Sequence, residues 1–181
     1  MKISPSRIAA FEALRRVEVE RAFSSVVLPE VEEKLSQSDR GLCHELVLGV
    51  LRRQIYLDRL IEAFTKGKKL DRAVLLALRL GAYQLLFLDR IPAYSAINES
   101  VNLVQRAKKS SAKGFVNAIL RRIADGAPSL EFSDDIERAS VETSHPRWLI
   151  EKWIDEFGLA QAVQIAEANN TVPRIAFRRT K

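Results

Sequence analysis

The stretch 71–92 constrains this chain more than any other part of it. Asp71 can cap a helix and Pro92 breaks one. Between them runs Leu78-Arg79-Leu80-Gly81-Ala82-Tyr83-Gln84-Leu85-Leu86-Phe87-Leu88, apolar on most sides. A helix of this kind looks buried, so other segments must pack around it. Arg79 and Gln84 interrupt the run, and it is too short to span a membrane.

Helical spacing continues on both sides. Ser4 and Pro5 suit a cap and a first helical position, and Ile8, Phe11, Leu14 and Val17 then form an apolar stripe with Arg7, Arg15 and Arg16 outside it. A short helix is expected within 26–35. A third, capped by Ser38 or Asp39, runs toward Gln54 on Leu42, Leu46, Val50 and Leu51, and Leu57, Leu60, Ile61 and Phe64 continue after a bend. Gly67 terminates that helix in the basic turn 65–69. Beyond Pro92, Ile97, Val101 and Val104 share a face; Phe115, Val116, Ile119, Leu120 and Ile123 mark the next helix. The stretch 127–143, acidic from Glu131, reads as a linker. Ser144 as cap and Pro146 in the first turn open a helical pair divided at Gly158. Residues 173–177 look extended. The expected fold class is all-α.

Several chemistries are excluded. His44 and His145 have no second histidine or cysteine at metal-ligand spacing, so no metal site is expected. Cys43 stands among Leu42, Leu46 and Val47 and reads as a buried packing residue. The seven glycines are dispersed and form neither a phosphate loop nor a dinucleotide fingerprint. Residues 1–5 lead straight into a charged amphipathic stretch, with no apolar segment suited to a signal peptide, and a cytoplasmic location is the expectation.

Positive charge is the stronger signal: 29 Lys and Arg face 23 Asp and Glu. Arg52, Arg53 and Arg59 flank one helix junction. Lys66, Lys68, Lys69 and Arg72 surround the next turn. Lys108, Lys109 and Lys113 crowd a later one, and Arg121 and Arg122 end its helix. Long cationic side chains grip phosphates without reading sequence, which makes these residues an RNA-binding candidate. The ordinary alternative is a solvated face with local ion pairs. Tyr56, Tyr83 and Tyr94 could stack on bases, although Tyr83 has apolar neighbours suited to a core. Structural roles are expected for Asp58 and Asp89 (pairing with arginines or capping turns), for Asn98, Glu99 and Asn117 (buried hydrogen bonds between helix ends) and for Trp148 and Trp153 (packing anchors).

Three blocks carry a resemblance. They are Leu46-Val47-Leu48-Gly49-Val50-Leu51-Arg52-Arg53; Leu80-Gly81-Ala82-Tyr83-Gln84-Leu85-Leu86 with Ile91-Pro92-Ala93-Tyr94-Ser95-Ala96-Ile97-Asn98-Glu99-Ser100-Val101; and Gly114-Phe115-Val116-Asn117-Ala118-Ile119-Leu120-Arg121-Arg122. In this order they resemble the NusB-type N-terminal domain of the Sun/Fmu/RsmB family of ribosomal RNA cytosine-C5 methyltransferases. Tyr94 stands where that family often has histidine. His145-Pro146-Arg147-Trp148-Leu149 with Trp153, Asn169 and Pro173 is similar to the linker before the family's catalytic part, and 177–181 to its entrance, with Arg179 departing from the usual asparagine.

The resemblance implies a NusB-like helical RNA-binding domain over 1–126, a linker over 127–143, a helical appendage over 144–172 and the start of a truncated catalytic region at 173–181. It implies no catalytic residue and no cofactor within this chain. S-adenosylmethionine and two catalytic cysteines would belong to the parent enzyme, and Cys43 matches neither cysteine. Implied partners are ribosomal RNA and the absent C-terminal methyltransferase domain. An apolar NusB-type surface could also pair with itself in a homodimer. The alternatives are a standalone NusB-like transcription antitermination factor and a protein-interaction scaffold.

Overall fold

The computed structural model describes residues 3–171 and residue 177, and the expected catalytic start at 173–181 otherwise lies outside them. Every regular element among the described residues is helical. The chain divides into two units, Met1–Glu131 and Phe132–Lys181.

The first unit contains α1 (Pro5–Val19), α2 (Ser24–Glu32), α3 (Gln37–Arg52), α4 (Gln54–Thr65), α5 (Arg72–Phe87), α6 (Ala93–Arg106) and α7 (Lys113–Asp125), with a 3-10 turn Ser110–Ala112 before α7. Helix α5 sits at the centre and packs against α1, α3, α4, α6 and α7. Asp71 caps it by accepting from the Ala73 amide at 3.0 Å. Two glycines let the neighbours approach. A Cβ at Gly49 on α3 would lie 2.0 Å from Tyr83 Cζ, and one at Gly81 would lie 2.5 Å from Leu120 Cδ1 on α7. Glycine's missing side chain thus offsets its poor helix propensity at these two crossings.

Two buried arginines tie the bundle together. Arg79 on α5 is 4% exposed. Its guanidinium donates Nε to Asp58 Oδ1 (2.6 Å), Nη2 to Asp58 Oδ2 (2.8 Å) and Nη1 to Glu18 Oε2 (3.0 Å), joining α4, α5 and α1. A planar fork matches a carboxylate in this way. Arg7 also enters the core, contrary to the expectation that it lies outside the α1 stripe. Its Nε donates to Gln84 Oε1 at 2.6 Å, and its Nη1 lies 3.0 Å from Glu99 Oε1. Glu99 Oε2 accepts from the Ser4 amide at 2.7 Å, so the Ser4 end of α1 is held by Glu99, while the Ser4 hydroxyl caps no helix amide. Desolvation lowers the Arg7 pKa, and Glu99 opposes that.

The second unit contains α8 (Asp135–Thr143), α9 (Arg147–Phe157) and α10 (Leu159–Asn169) around Ala139, Ile150 and Ala166, with Trp153 and Ile154 packed alongside. Helix α8 occupies part of the stretch expected as linker. Its start is fixed by Asp134, which accepts from the Glu137 amide at 2.6 Å, while Glu137 accepts from the Ser133 amide at 2.6 Å. Reciprocal capping of this kind, followed by Ile136 and Ala139 facing inward, outweighs the acidic composition. Ser144 is the left-handed C-cap of α8 (φ 56°), and Pro146, not Ser144, is the cap position of α9. Trp148 is 65% exposed, so it is not a packing anchor within this unit; Trp153 takes that place, 5.5 Å from the His145 ring.

Candidate nucleic-acid interface

The cationic turns are built by backbone conformation as much as by charge. Helix α4 ends with both Lys66 (φ 51°) and Gly67 (φ 72°) in the left-handed region, so the stop begins one residue before the expected glycine. This throws Lys66, Lys68 and Lys69 into solvent ahead of α5. Between α6 and α7, Lys108 (φ 59°) makes a corresponding reversal. Asp71 brings the two turns together: Lys109 Nζ lies 2.7 Å from its Oδ2 while its other oxygen caps α5. The Lys109 ammonium, with the capped amide, holds the Asp71 carboxyl below its usual pKa.

Around this junction Arg72 is exposed and donates Nη1 to the Glu18 carbonyl at 3.4 Å, and Lys113 Nζ donates to Gln105 Oε1 at 2.8 Å. Arg122 on α7 stacks over Phe64 in the last turn of α4, 4.7 Å from the ring centroid, just before Lys66. Arg121 is exposed beside it. The structure therefore brings Lys66, Lys68, Lys69, Arg72, Lys108, Lys109 and Lys113 to one end of the bundle. Arg52 and Arg53 are elsewhere. Arg53 lies 5.2 Å from the Phe87 ring at the far end of α5, and a helix of 16 residues is about 24 Å long. Arg59 donates to the Glu131 carbonyl at 2.9 Å.

The aromatic candidates separate by burial. Tyr83 is buried, stacks on Phe87 at 5.2 Å and donates its hydroxyl to Glu45 at 2.5 Å; burial first, then Glu45, raises its pKa. Tyr56 packs edge-on against Phe87. Tyr94 alone among the tyrosines is largely exposed, at 71%. Phe115, one of the apolar residues that mark α7, is 38% exposed, two residues beyond Lys113. The sequence held the signal: Val116, Ile119, Leu120 and Ile123 complete the buried stripe of α7 without it. Glu99 and Asp58 do organise the helices as expected, but Asn98 faces solvent and Asn117 is half-buried, and neither makes a buried bridge between helix ends.

No group of three or more metal-ligating side chains occurs among the described residues, and no helix there is long and apolar enough to cross a membrane. Cys43 is fully buried, and its thiol is pushed up to about 12 by desolvation and then by Glu32 and Asp39.

Residues 4–125 match the NusB family, which covers α1 through α7. The chain belongs to the NusB family. This NusB-family chain is similar to the probable ribosomal RNA small subunit methyltransferase B of Bacillus subtilis (strain 168), 36% identical over 183 residues, covering 98% of this chain and 41% of that protein. The ribosomal RNA small subunit methyltransferase B of Pseudomonas putida is 38% identical over 175 residues, covering 95% and 39%. The chain thus spans about two fifths of the length of these relatives and corresponds to their N-terminal NusB-like portion. Among solved structures, T. maritima NusB is 29% identical with a TM-score of 0.63, covering 71% of this chain and 96% of that one. A chain in the crystal structure of a plectonemic RNA supercoil is 27% identical with the same TM-score, covering 67% and 92%. PH0851 shares the fold, with a TM-score of 0.73 over 96% of this chain at 19% identity.

Proposed function

We propose that this chain positions RNA for an S-adenosylmethionine-dependent ribosomal RNA (cytosine-C5) methyltransferase, and that it carries no catalytic residue of its own. The reach of the match carries this reading. The methyltransferase B relatives follow 95% and 98% of the chain, through both units, whereas T. maritima NusB is itself 96% used at 71% of it. RNA phosphates lie against Lys66, Lys68, Lys69, Arg72, Lys108, Lys109 and Lys113, with Arg121 and Arg122 extending the surface along α7. Phe115 supplies a ring on which an unpaired base stacks. Arg52 and Arg53 form a separate, weaker contact.

The residues of this chain do not fit the methyl donor or the covalent step. The described elements are helices without a glycine-rich strand-to-helix turn. The one thiol, Cys43, is fully buried with a raised pKa, the opposite of an activated nucleophile. Methyl transfer therefore belongs to the part of the larger protein that this chain does not include.

The test has two parts. Fluorescence anisotropy with a small-subunit ribosomal RNA fragment measures affinity against salt. Transfer of labelled methyl from S-adenosylmethionine is assayed with the longest reading frame containing this chain and with the 181-residue chain alone. RNA binding by both, with transfer by the longer protein only, is expected. RNA binding with no transfer by either would favour a standalone NusB-like factor, a reading that draws on the near-complete match to T. maritima NusB.

A further inference from the structure

Glu62 is out of place on a surface that grips phosphate. It lies in the last turn of α4, and its side chain is 54% exposed. Lys66, Lys68 and Lys69 follow it into solvent. An exposed carboxylate here repels the phosphates that these lysines attract. Its charge is also weakly answered. Arg59 Nη1 forms an ion pair with Glu62 Oε2 at 3.6 Å, beyond hydrogen-bond reach, so both carboxylate oxygens remain able to accept.

The carboxylate borders a cleft of about 220 Å³, walled by Ile61, Leu70 and Leu75, with Asp58 and Lys68 also on its rim. Sites for drug-sized ligands occupy about 300–1,000 Å³, so this one suits a single flat ring system. The cleft is preformed. Ile61 is buried, Thr65 Oγ1 donates to the Glu62 carbonyl at 3.3 Å, and the Lys68 amide donates to the Thr65 carbonyl at 3.1 Å. Asp58 is locked by Arg79 through both oxygens, which leaves Glu62 as the carboxylate for a ligand. Gly67, left-handed at φ 72°, brings no side chain to the space beside it: Glu62 Oε1 lies 4.0 Å from where a Cβ would stand.

A carboxylate with two accepting oxygens selects among the bases. Along its pairing edge, guanine presents N1–H and N2–H2 as adjacent donors, with the acceptor O6 beside them. Adenine and cytosine set one amino donor next to a ring-nitrogen acceptor, and uracil sets one imide donor between two carbonyls. Each of these three turns an acceptor toward one carboxylate oxygen. We propose that the cleft takes an unpaired guanine of the bound RNA, its N1–H and N2–H2 donating to the two Glu62 oxygens and Lys68 donating to O6; this deepens the RNA-positioning reading above and rests on it. Two parallel hydrogen bonds to a charged group give strength as well as specificity. Unpaired bases are the part of an RNA that can splay out and present this edge. The residue that costs general affinity thereby sets which nucleotide lies against the cationic turn.

The test measures fluorescence anisotropy of short uridine oligoribonucleotides that carry one central guanosine, adenosine, cytidine, inosine or uridine, with the 181-residue chain and with E62Q. The guanosine oligomer is expected to bind about tenfold tighter than the others, inosine included because it lacks the N2 amino group. E62Q should reduce that preference to within about twofold while strengthening the binding of the all-uridine oligomer, since a repulsive charge is gone. A merely structural role for Glu62 would instead weaken every oligomer alike and overturn the inference. Equal affinities throughout in the unaltered chain overturn it and leave the RNA reading intact. A guanosine preference that survives E62Q overturns the assignment to this cleft. Guanosine monophosphate competing at the oligomer's own affinity overturns it in favour of a free nucleotide. Absence of binding by any oligomer removes the RNA reading, and the inference with it.

Discussion

At the scale of single residues, close approach and burial decide what each side chain can do. Gly49 is the contact point of α3 with Tyr83, whose ring is held between Phe87 and Glu45 and has nowhere to move. Gly49→Ala is expected to destabilise the first unit by about 1–3 kcal/mol through overpacking, read as a lower urea midpoint with an unchanged slope. Cys43 gives a prediction in pH. Its thiol is raised from 9.0 to about 12 by burial, so the folded state favours the neutral form. The stability it contributes is full below pH 9 and is lost as pH rises toward 12. Native protein at pH 8 should resist alkylation, and unfolded protein should react at once; fast labelling of the native form would contradict the burial.

At the scale of elements, helix ends carry the candidate function. Two turns meet through Asp71 and Lys109, and both rely on left-handed lysines, Lys66 and Lys108. The triple reversal K68E/K69E/K113E is expected to weaken RNA binding and flatten its salt dependence by about 2 units of slope, since each lost phosphate contact removes roughly 0.7–0.9. R52E/R53E, at the far end of α5, should change it less; equal losses would show that charge alone, not this end of the bundle, governs binding. Helix α8 depends on its cap. Asp134 both accepts the Glu137 amide and pairs with Arg147, which holds its carboxyl below the usual range. Asp134→Ala should cost about 1 kcal/mol and appear as faster amide exchange confined to α8 and the start of α9.

At the scale of the whole molecule, the excess of positive charge lies in the first unit: residues 1–131 carry 22 Lys and Arg against 15 Asp and Glu, and residues 132–181 seven against eight. Neither a regular helix nor a strand occupies 126–133. Brief proteolysis should cut there first and release a 1–131 piece that keeps the RNA affinity of the intact chain within about a factor of two, since the junction of cationic turns is wholly inside it. Loss of affinity on that cut would assign RNA contacts to the second unit.

The helices were legible in the sequence because their signals are local. Asp71, Pro92 and the 3.6-residue apolar period around Leu78 and Leu80 act within a few residues, and the all-α class followed from them. Composition, a local average, misled at 131–142, where the Asp134 and Glu137 cap made a helix out of an expected linker. What joins distant positions could not be read in this way. The burial of Arg7 depends on Gln84 and Glu99, 77 and 92 positions away, and the meeting of the two cationic turns depends on one contact between Asp71 and Lys109. Trp148 and Phe115 look like core residues to any rule based on residue type. Only the packed structure shows that Trp153 and Val116 occupy the interior and leave those two rings to solvent. Local periodicity fixes which elements form, because backbone hydrogen bonds and capping act over one turn. Which side chains become a surface is decided by long-range packing, where space that one residue fills is closed to the next.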